Sequence, residues 1–128
     1  MSTLRAALVQ LNGGGDAGAN TEAALRLIRE AASEGAAYVQ TPEVTNMIPP
    51  SGAVLMERVR DEGEDETLAA LRSLAAELGL WLHVGSLALR SEDDPERAAN
   101  RAFLIGPDGA IRAHYDKIHM FEADLGER

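Results

Sequence analysis

Cysteine is absent from all 128 residues. That excludes disulfides and every zinc site built on thiolates. Aromatic side chains are scarce, 4% against 45% hydrophobic residues overall, so aliphatic side chains must fill the core. No apolar run approaches the ~20 residues needed to cross a membrane. Basic residues are also short, 12 against 21 acids, which leaves a net charge of −9. A nucleic-acid partner would require a basic stripe, and an anionic membrane surface would repel such a chain, so neither is expected. Most acids alternate with bases and read as a solvated surface. The opening Met1-Ser2-Thr3-Leu4-Arg5 has no basic region followed by a long apolar stretch; no signal peptide is expected, and the cytoplasm is the default compartment.

What is present suits one small domain with a real core. Internal repeats, low-complexity tracts and interdomain linkers are not evident. Residues 4–11 read as a mostly buried strand, followed by a glycine-rich loop from Asn12 to Gly18. Asn20 or Thr21 is then the expected helix cap, with Glu22 in the first turn where the helix dipole favours an acid. Ala24, Leu25, Ile28, Ala31 and Ala32 form one apolar face to about Ser33, and Gly35 ends the helix. Residues 36–40 form a second strand, stopped by Pro42. Residues 44–62 read mainly as loop with room for a short helical turn. Asp65 or Glu64 opens a second helix that ends at Gly79. Residues 81–87, 101–105 and 110–115 are strands, the last two joined by the turn Gly106-Pro107-Asp108-Gly109, where proline presets φ and glycine accepts φ > 0. The order β-α-β-α-β-β-β predicts an α/β sheet with helices on one face.

Two positions carry candidate chemistry. Glu43 leaves a strand behind Pro42, and strand exits of α/β sheets are where ligands bind. A partly desolvated carboxylate there, its pKa raised, serves as a general base; otherwise Glu43 is a surface glutamate. Lys117 ends the last strand, where an ammonium can face charge developing on a carbonyl oxygen; otherwise it is one more surface lysine. Three further groups are weaker. His114 and His119 flank Asp116 and Glu122, but the spacing fits no standard ligand set, so no metal and no cofactor are expected. His83 reads as a satisfied core histidine. Asp61 to Glu66 reads as a solvated helix start.

Six segments in order carry a family resemblance: the opening strand ending in Gln10; the capped helix; Thr41-Pro42-Glu43-Val44-Thr45-Asn46; Gly79 to Ser86; Asn100-Arg101-Ala102-Phe103; and Tyr115-Asp116-Lys117-Ile118-His119-Met120-Phe121. Together they resemble the carbon-nitrogen hydrolase (nitrilase) superfamily, most of all its branch of Nit amidases, which act on ω-amides of α-keto acids or on deaminated glutathione. The resemblance implies the N-terminal portion, residues 1–128, of a nitrilase-type α-β-β-α sandwich, and a small-molecule amide as substrate. It implies that Glu43 accepts the proton of a cysteine thiol and later activates water, that Lys117 stabilises the tetrahedral intermediate, and that the full-length form is a homo-oligomer. The family's cysteine and its second glutamate would lie beyond Arg128. Glu122 and Glu127 are too near Lys117 to be assigned that second role. Without a thiol, this chain should not hydrolyse amides by the family mechanism. Its helices can cover only one sheet face, so marginal stability or association is expected when it is made alone.

Gly13-Gly14-Gly15-Asp16-Ala17-Gly18 supports a different reading. It matches the dinucleotide fingerprint G-x-G-x-x-G between a strand and a helix. Against that reading, the expected caps fall after the last glycine, and no acid lies about 20 residues on. A third reading is a non-catalytic remnant.

Overall fold

The computed structural model describes residues 2–119. Its elements are β1 (Ala6–Leu8), α1 (Ala17–Ser33), β2 (Tyr38–Gln40), α2 (Gly52–Arg58), a single 3₁₀ turn (Glu62–Glu64), α3 (Glu66–Leu78), β3 (Trp81–Arg90), β4 (Ala98–Ile105) and β5 (Ile111–Asp116). One five-stranded sheet runs in the order β1-β2-β3-β4-β5. The first three strands are parallel because helices intervene between them. The last two pair antiparallel, as short connections require. This is the α/β alternation expected from the sequence, with β1 shorter and β3 longer than its apolar run.

Strand alternation gives the sheet two different faces. Pairing aligns Ala7, Val39, Leu82, Ile105 and Ile111 in a row across all five strands. That row packs with Ile28 of α1 and with Leu71, Leu74 and Ala75 of α3 in the hydrophobic core. The adjacent row, Leu8, Gln40, His83, Leu104 and Ala113, lies on the opposite face. Leu8 is 79% exposed, Tyr115 60% and Trp81 39%. The helices therefore cover one face only.

The start of α1 corrects the sequence reading. Asp16, not Asn20 or Thr21, is the N-cap, and its carboxylate accepts from the Ala19 N–H at 3.0 Å. Glu22 consequently lies beyond the first turn, which holds no acid. Asn20 is buried and engaged elsewhere: its amide exchanges hydrogen bonds with Gly14 N–H and C=O and donates to the Asn46 carbonyl. Thr21 donates back to the Ala17 carbonyl. At the other end, Gly35 takes φ +88° and its N–H closes on the Ala32 carbonyl. Asp65 caps α3 as expected, accepting from Leu68 N–H at 2.7 Å, and Gly79 ends it at φ +63°. The loop expected over residues 44–62 contains a two-turn helix, α2, capped by Ser51.

One close approach positions everything that follows. The β3–β4 register shifts between Val84 and Leu87. There the backbone of Thr41 and Pro42 lies against Gly85, where a Cβ would stand 2.4 Å from the Thr41 carbonyl oxygen and 2.6 Å from that of Pro42. No side chain fits at position 85. Gly85→Ala should lower the urea unfolding midpoint by the equivalent of at least ~2 kcal/mol, the scale of overpacking an interior. Gly63→Ala, whose added methyl meets nothing within 4 Å, should stay within about 0.5 kcal/mol of the parent.

Candidate active site

Glu43 sits in a turn that is sewn to β3. The Val44 N–H donates to Ser86 Oγ at 2.8 Å. Thr45 N–H donates to the Ser86 carbonyl at 2.8 Å, and Ser86 N–H to the Pro42 carbonyl at 3.3 Å. The Thr45 hydroxyl donates to the Pro42 carbonyl at 2.7 Å. Asn46, fully buried, then imitates a strand residue: its Nδ2 donates to the Ala88 carbonyl at 2.8 Å and its Oδ1 accepts from Ala88 N–H at 2.9 Å. Between these anchors Val44 takes φ +51°. A β-branched residue in the left-handed region is strained, by about 1–3 kcal/mol.

Lys117 reaches the same point from β5. Its N–H donates to the Asn100 carbonyl at 2.9 Å, continuing the β4–β5 ladder one residue past Asp116. Next to that rung, Arg101 of β4 is 7% exposed. Its guanidinium grips both oxygens of Asp116, at 2.6 and 2.8 Å, and also reaches Glu62 and Glu92. The bond to Asp116, followed by those to Glu92 and Glu62, raises the Arg101 pKa against the desolvation of its site. The same bond to Arg101 lowers the pKa of Asp116. A bidentate pair of this kind fixes geometry as well as charge. By strand alternation, Asn100 and Lys117 then share the other face.

The structure therefore brings the two candidates together. Lys117 Nζ lies 2.7 Å from Glu43 Oε1. The same oxygen accepts from Asn100 Nδ2 at 2.9 Å. Asn100 is the residue that sequence reasoning passed over; it stood in a motif as a strand start, and only the pairing of β4 with β5 shows which way it serves. All three side chains border an open cleft of about 920 Å³, whose remaining wall is mostly aliphatic, with Met47, Leu55 and Ala98 in it beside Ser51.

The electrostatics reverse one expectation. The sequence predicts that desolvation raises the Glu43 pKa. Instead, the Lys117 bond and then the Asn100 bond hold it below its ordinary value, outweighing the desolvation that would raise it. The reason is exposure: the Glu43 side chain is 56% accessible and that of Lys117 36%. An ion pair so placed contributes at most ~1 kcal/mol. Because the folded-state pKa is the lower one, that contribution is complete above the unfolded value and is lost as pH falls through the folded one.

The other candidates fall apart. His83 is half-buried on the uncovered sheet face, not in the core, with its Nδ1 2.7 Å from the Tyr38 hydroxyl. Among the described residues no cluster of three or more His, Asp or Glu is placed to hold a metal. Glu122 and Glu127, and the end of the lysine motif at Met120 and Phe121, lie outside the described residues. The glycine loop needs a correction in its favour and one against it. Gly18 does lie inside α1, as the dinucleotide fingerprint asks. Yet the Asp16 carboxylate already occupies the helix N-terminus, where a phosphate would need to sit, and the Gly14 N–H is taken by Asn20.

Lys117→Ala should move the Glu43 carboxyl pKa upward toward its ordinary value, read from the pH midpoint of its side-chain carboxyl carbon by NMR. An unchanged midpoint would show that the pair does not form in solution.

The comparisons with known proteins agree with this architecture. Residues 5–128 match the carbon-nitrogen hydrolase family. The omega-amidase NIT2 of Homo sapiens is 34% identical over 125 residues, which are 98% of this chain and 44% of that protein. The NitFhit protein of C. elegans has a similar structure, with a TM-score of 0.80 and 25% identity over 92% of this chain and 28% of its own. An amidase mutant from Nesterenkonia sp. AN1 shares the fold, with a TM-score of 0.79 and 23% identity over 94% of this chain and 46% of its own, and in that protein acrylamide has added to the active-site cysteine. The chain spans less than half the length of each of these three. With the family match running from residue 5 to residue 128, the chain belongs to the carbon-nitrogen hydrolases.

Proposed function

We propose that residues 1–128 are the N-terminal portion of an amidase domain in which Glu43 is the general base and Lys117 the stabilising cation. The observation that carries this reading is the 2.7 Å contact between Lys117 Nζ and Glu43 Oε1 at the rim of the cleft. The two residues are 74 positions apart and reach each other from different strands.

The chemistry follows from what each group can do. A thiol gives its proton to the Glu43 carboxylate, and the resulting thiolate attacks the amide carbon. Negative charge develops on the former carbonyl oxygen, and the Lys117 ammonium stabilises it. The Glu43 carboxyl returns that proton to the leaving nitrogen, the C–N bond breaks to release ammonia, and Glu43, a carboxylate again, activates water against the thioester. A cation at 2.7 Å keeps the Glu43 carboxylate ionised and ready to accept. No residue of this chain supplies the thiol; it must come from polypeptide outside these 128 residues. The name of the human relative, an omega-amidase, supports a small ω-amide as substrate. Homo-oligomerisation of the full-length form rests on the family resemblance, and a cytoplasmic location on the sequence reading.

Ammonia release from small ω-amides tests the assignment. The 128-residue chain should give none. Extension of the polypeptide through a thiol-bearing segment should give turnover, which Glu43→Gln should cut by about 10²–10⁴-fold, the usual contribution of a general base. Turnover by the 128-residue chain that is lost in Glu43→Gln or Lys117→Ala would overturn the requirement for a thiol.

The uncovered sheet face supports the half-domain part of the proposal. Leu8, Trp81 and Tyr115 expose apolar area that would contribute roughly 25 cal/mol per Å² if covered. On size-exclusion chromatography the chain should associate, or melt at low denaturant. A dilute monomer with one cooperative transition at a high midpoint would refute the half-domain reading.

A further inference from the structure

Both donors at the site converge on one oxygen of Glu43. Oε1 accepts from Lys117 Nζ at 2.7 Å and from Asn100 Nδ2 at 2.9 Å. Among the described residues, Oε2 accepts from none. A carboxylate offers about four lone-pair sites, so this arrangement saturates one oxygen and spares the other.

The two donors differ in kind. A lysine ammonium is a point charge on a flexible stem, which neutralises a carboxylate without fixing its plane. An asparagine amide is planar and short, and this one is held on both sides of its strand. Asn100 pairs with Ala88 of β3, its carbonyl accepts the Lys117 N–H at 2.9 Å, and its neighbour Arg101 is clamped to Asp116. The Asn100 amide therefore approaches Glu43 from a fixed direction.

We propose that Asn100 is a positioning residue for the base: together with Lys117 it pins Oε1 and reserves Oε2 for the transferred proton. This rests on the reading of Glu43 as general base. In the transfer, the S–H or O–H bond of a thiol or water breaks, the hydrogen goes to Oε2, and the electron pair stays on sulfur or oxygen. Oε1 then becomes the carbonyl oxygen of a neutral carboxyl group and still accepts from Asn100 and Lys117. The site keeps its geometry in both protonation states.

The side-chain NH₂ resonances of Asn100 in the 128-residue chain, followed by NMR across the Glu43 titration, test this without any variant. They should inflect at the Glu43 midpoint and remain, below it, at hydrogen-bonded shifts distinct from free asparagine. In Asn100→Ala the Glu43 midpoint should rise, by less than in Lys117→Ala. NH₂ resonances that do not respond to Glu43, or that move to free-asparagine values once Glu43 is protonated, would overturn the proposal, as would an unshifted midpoint in Asn100→Ala. If these results hold while Glu43→Gln leaves turnover of the extended polypeptide unchanged, the base assignment fails and the positioning role fails with it. If turnover falls in Glu43→Gln but Asn100 gives no inflection, only the role of Asn100 is lost.

Discussion

The missing side chain at position 85 is the constraint on which the site depends. With no Cβ there, the backbone of Thr41 and Pro42 closes to a distance that no other residue permits. That approach brings Ser86 within reach of Pro42, Val44 and Thr45, and three hydrogen bonds form across the gap. At ~0.5–1.5 kcal/mol each, net, they offset the strain of about 1–3 kcal/mol at a valine with positive φ. The Asn46 amide extends the pairing to Ala88. A segment without regular secondary structure is thus as firmly attached to β3 as a strand would be, and Glu43 is presented by rigid backbone.

A second constraint works from the other side of the sheet. Arg101 and Asp116 face each other across β4 and β5, and their bidentate pair is completed by Glu62 and Glu92. A buried guanidinium without partners would cost several kcal/mol; here three carboxylates surround it, and they remain partly hydrated. The pair fixes the register of the two strands. Because strand side chains alternate, fixing Arg101 and Asp116 on one face also fixes Asn100 and Lys117 on the other. One period-2 pattern supplies both the clamp and the two donors that meet Glu43.

The glycine-rich loop shows how a motif can meet its spacing and fail on chemistry. Its last glycine is helical, and its position before α1 is the one a phosphate-binding loop would occupy. What decides against it is a single carboxylate. Asp16 caps the helix and leaves negative charge where an anion would dock. The loop instead serves packing: through Asn20 it ties α1 to the Asn46 turn.

Local rules reached a good part of this structure. The apolar face of α1 with Ile28, the cap at Asp65, the stop at Gly79 and the Gly106–Gly109 turn each depend on residues within a few positions of one another, and the sequence displays them directly. So does the family: short motifs around Glu43 and Lys117 carried it before any geometry was known. The cap of α1 was misplaced because Asp16, Asn20 and Thr21 are all competent caps, and what removed Asn20 was a partner at Asn46, 26 residues away. The direction of the Glu43 pKa was misjudged for the same reason, since burial at a strand exit cannot be read without knowing what lies across from it. Asn100 was invisible as a donor because its role exists only once β4 is registered against β5. By itself the sequence determined the five strands, the two longer helices, their order and the absence of a thiol, all properties of residues or near neighbours. Only the tertiary structure decided which oxygen of Glu43 is engaged, by what, and at what charge, because those contacts join residues 57 and 74 positions apart, and only folding brings them within hydrogen-bonding distance.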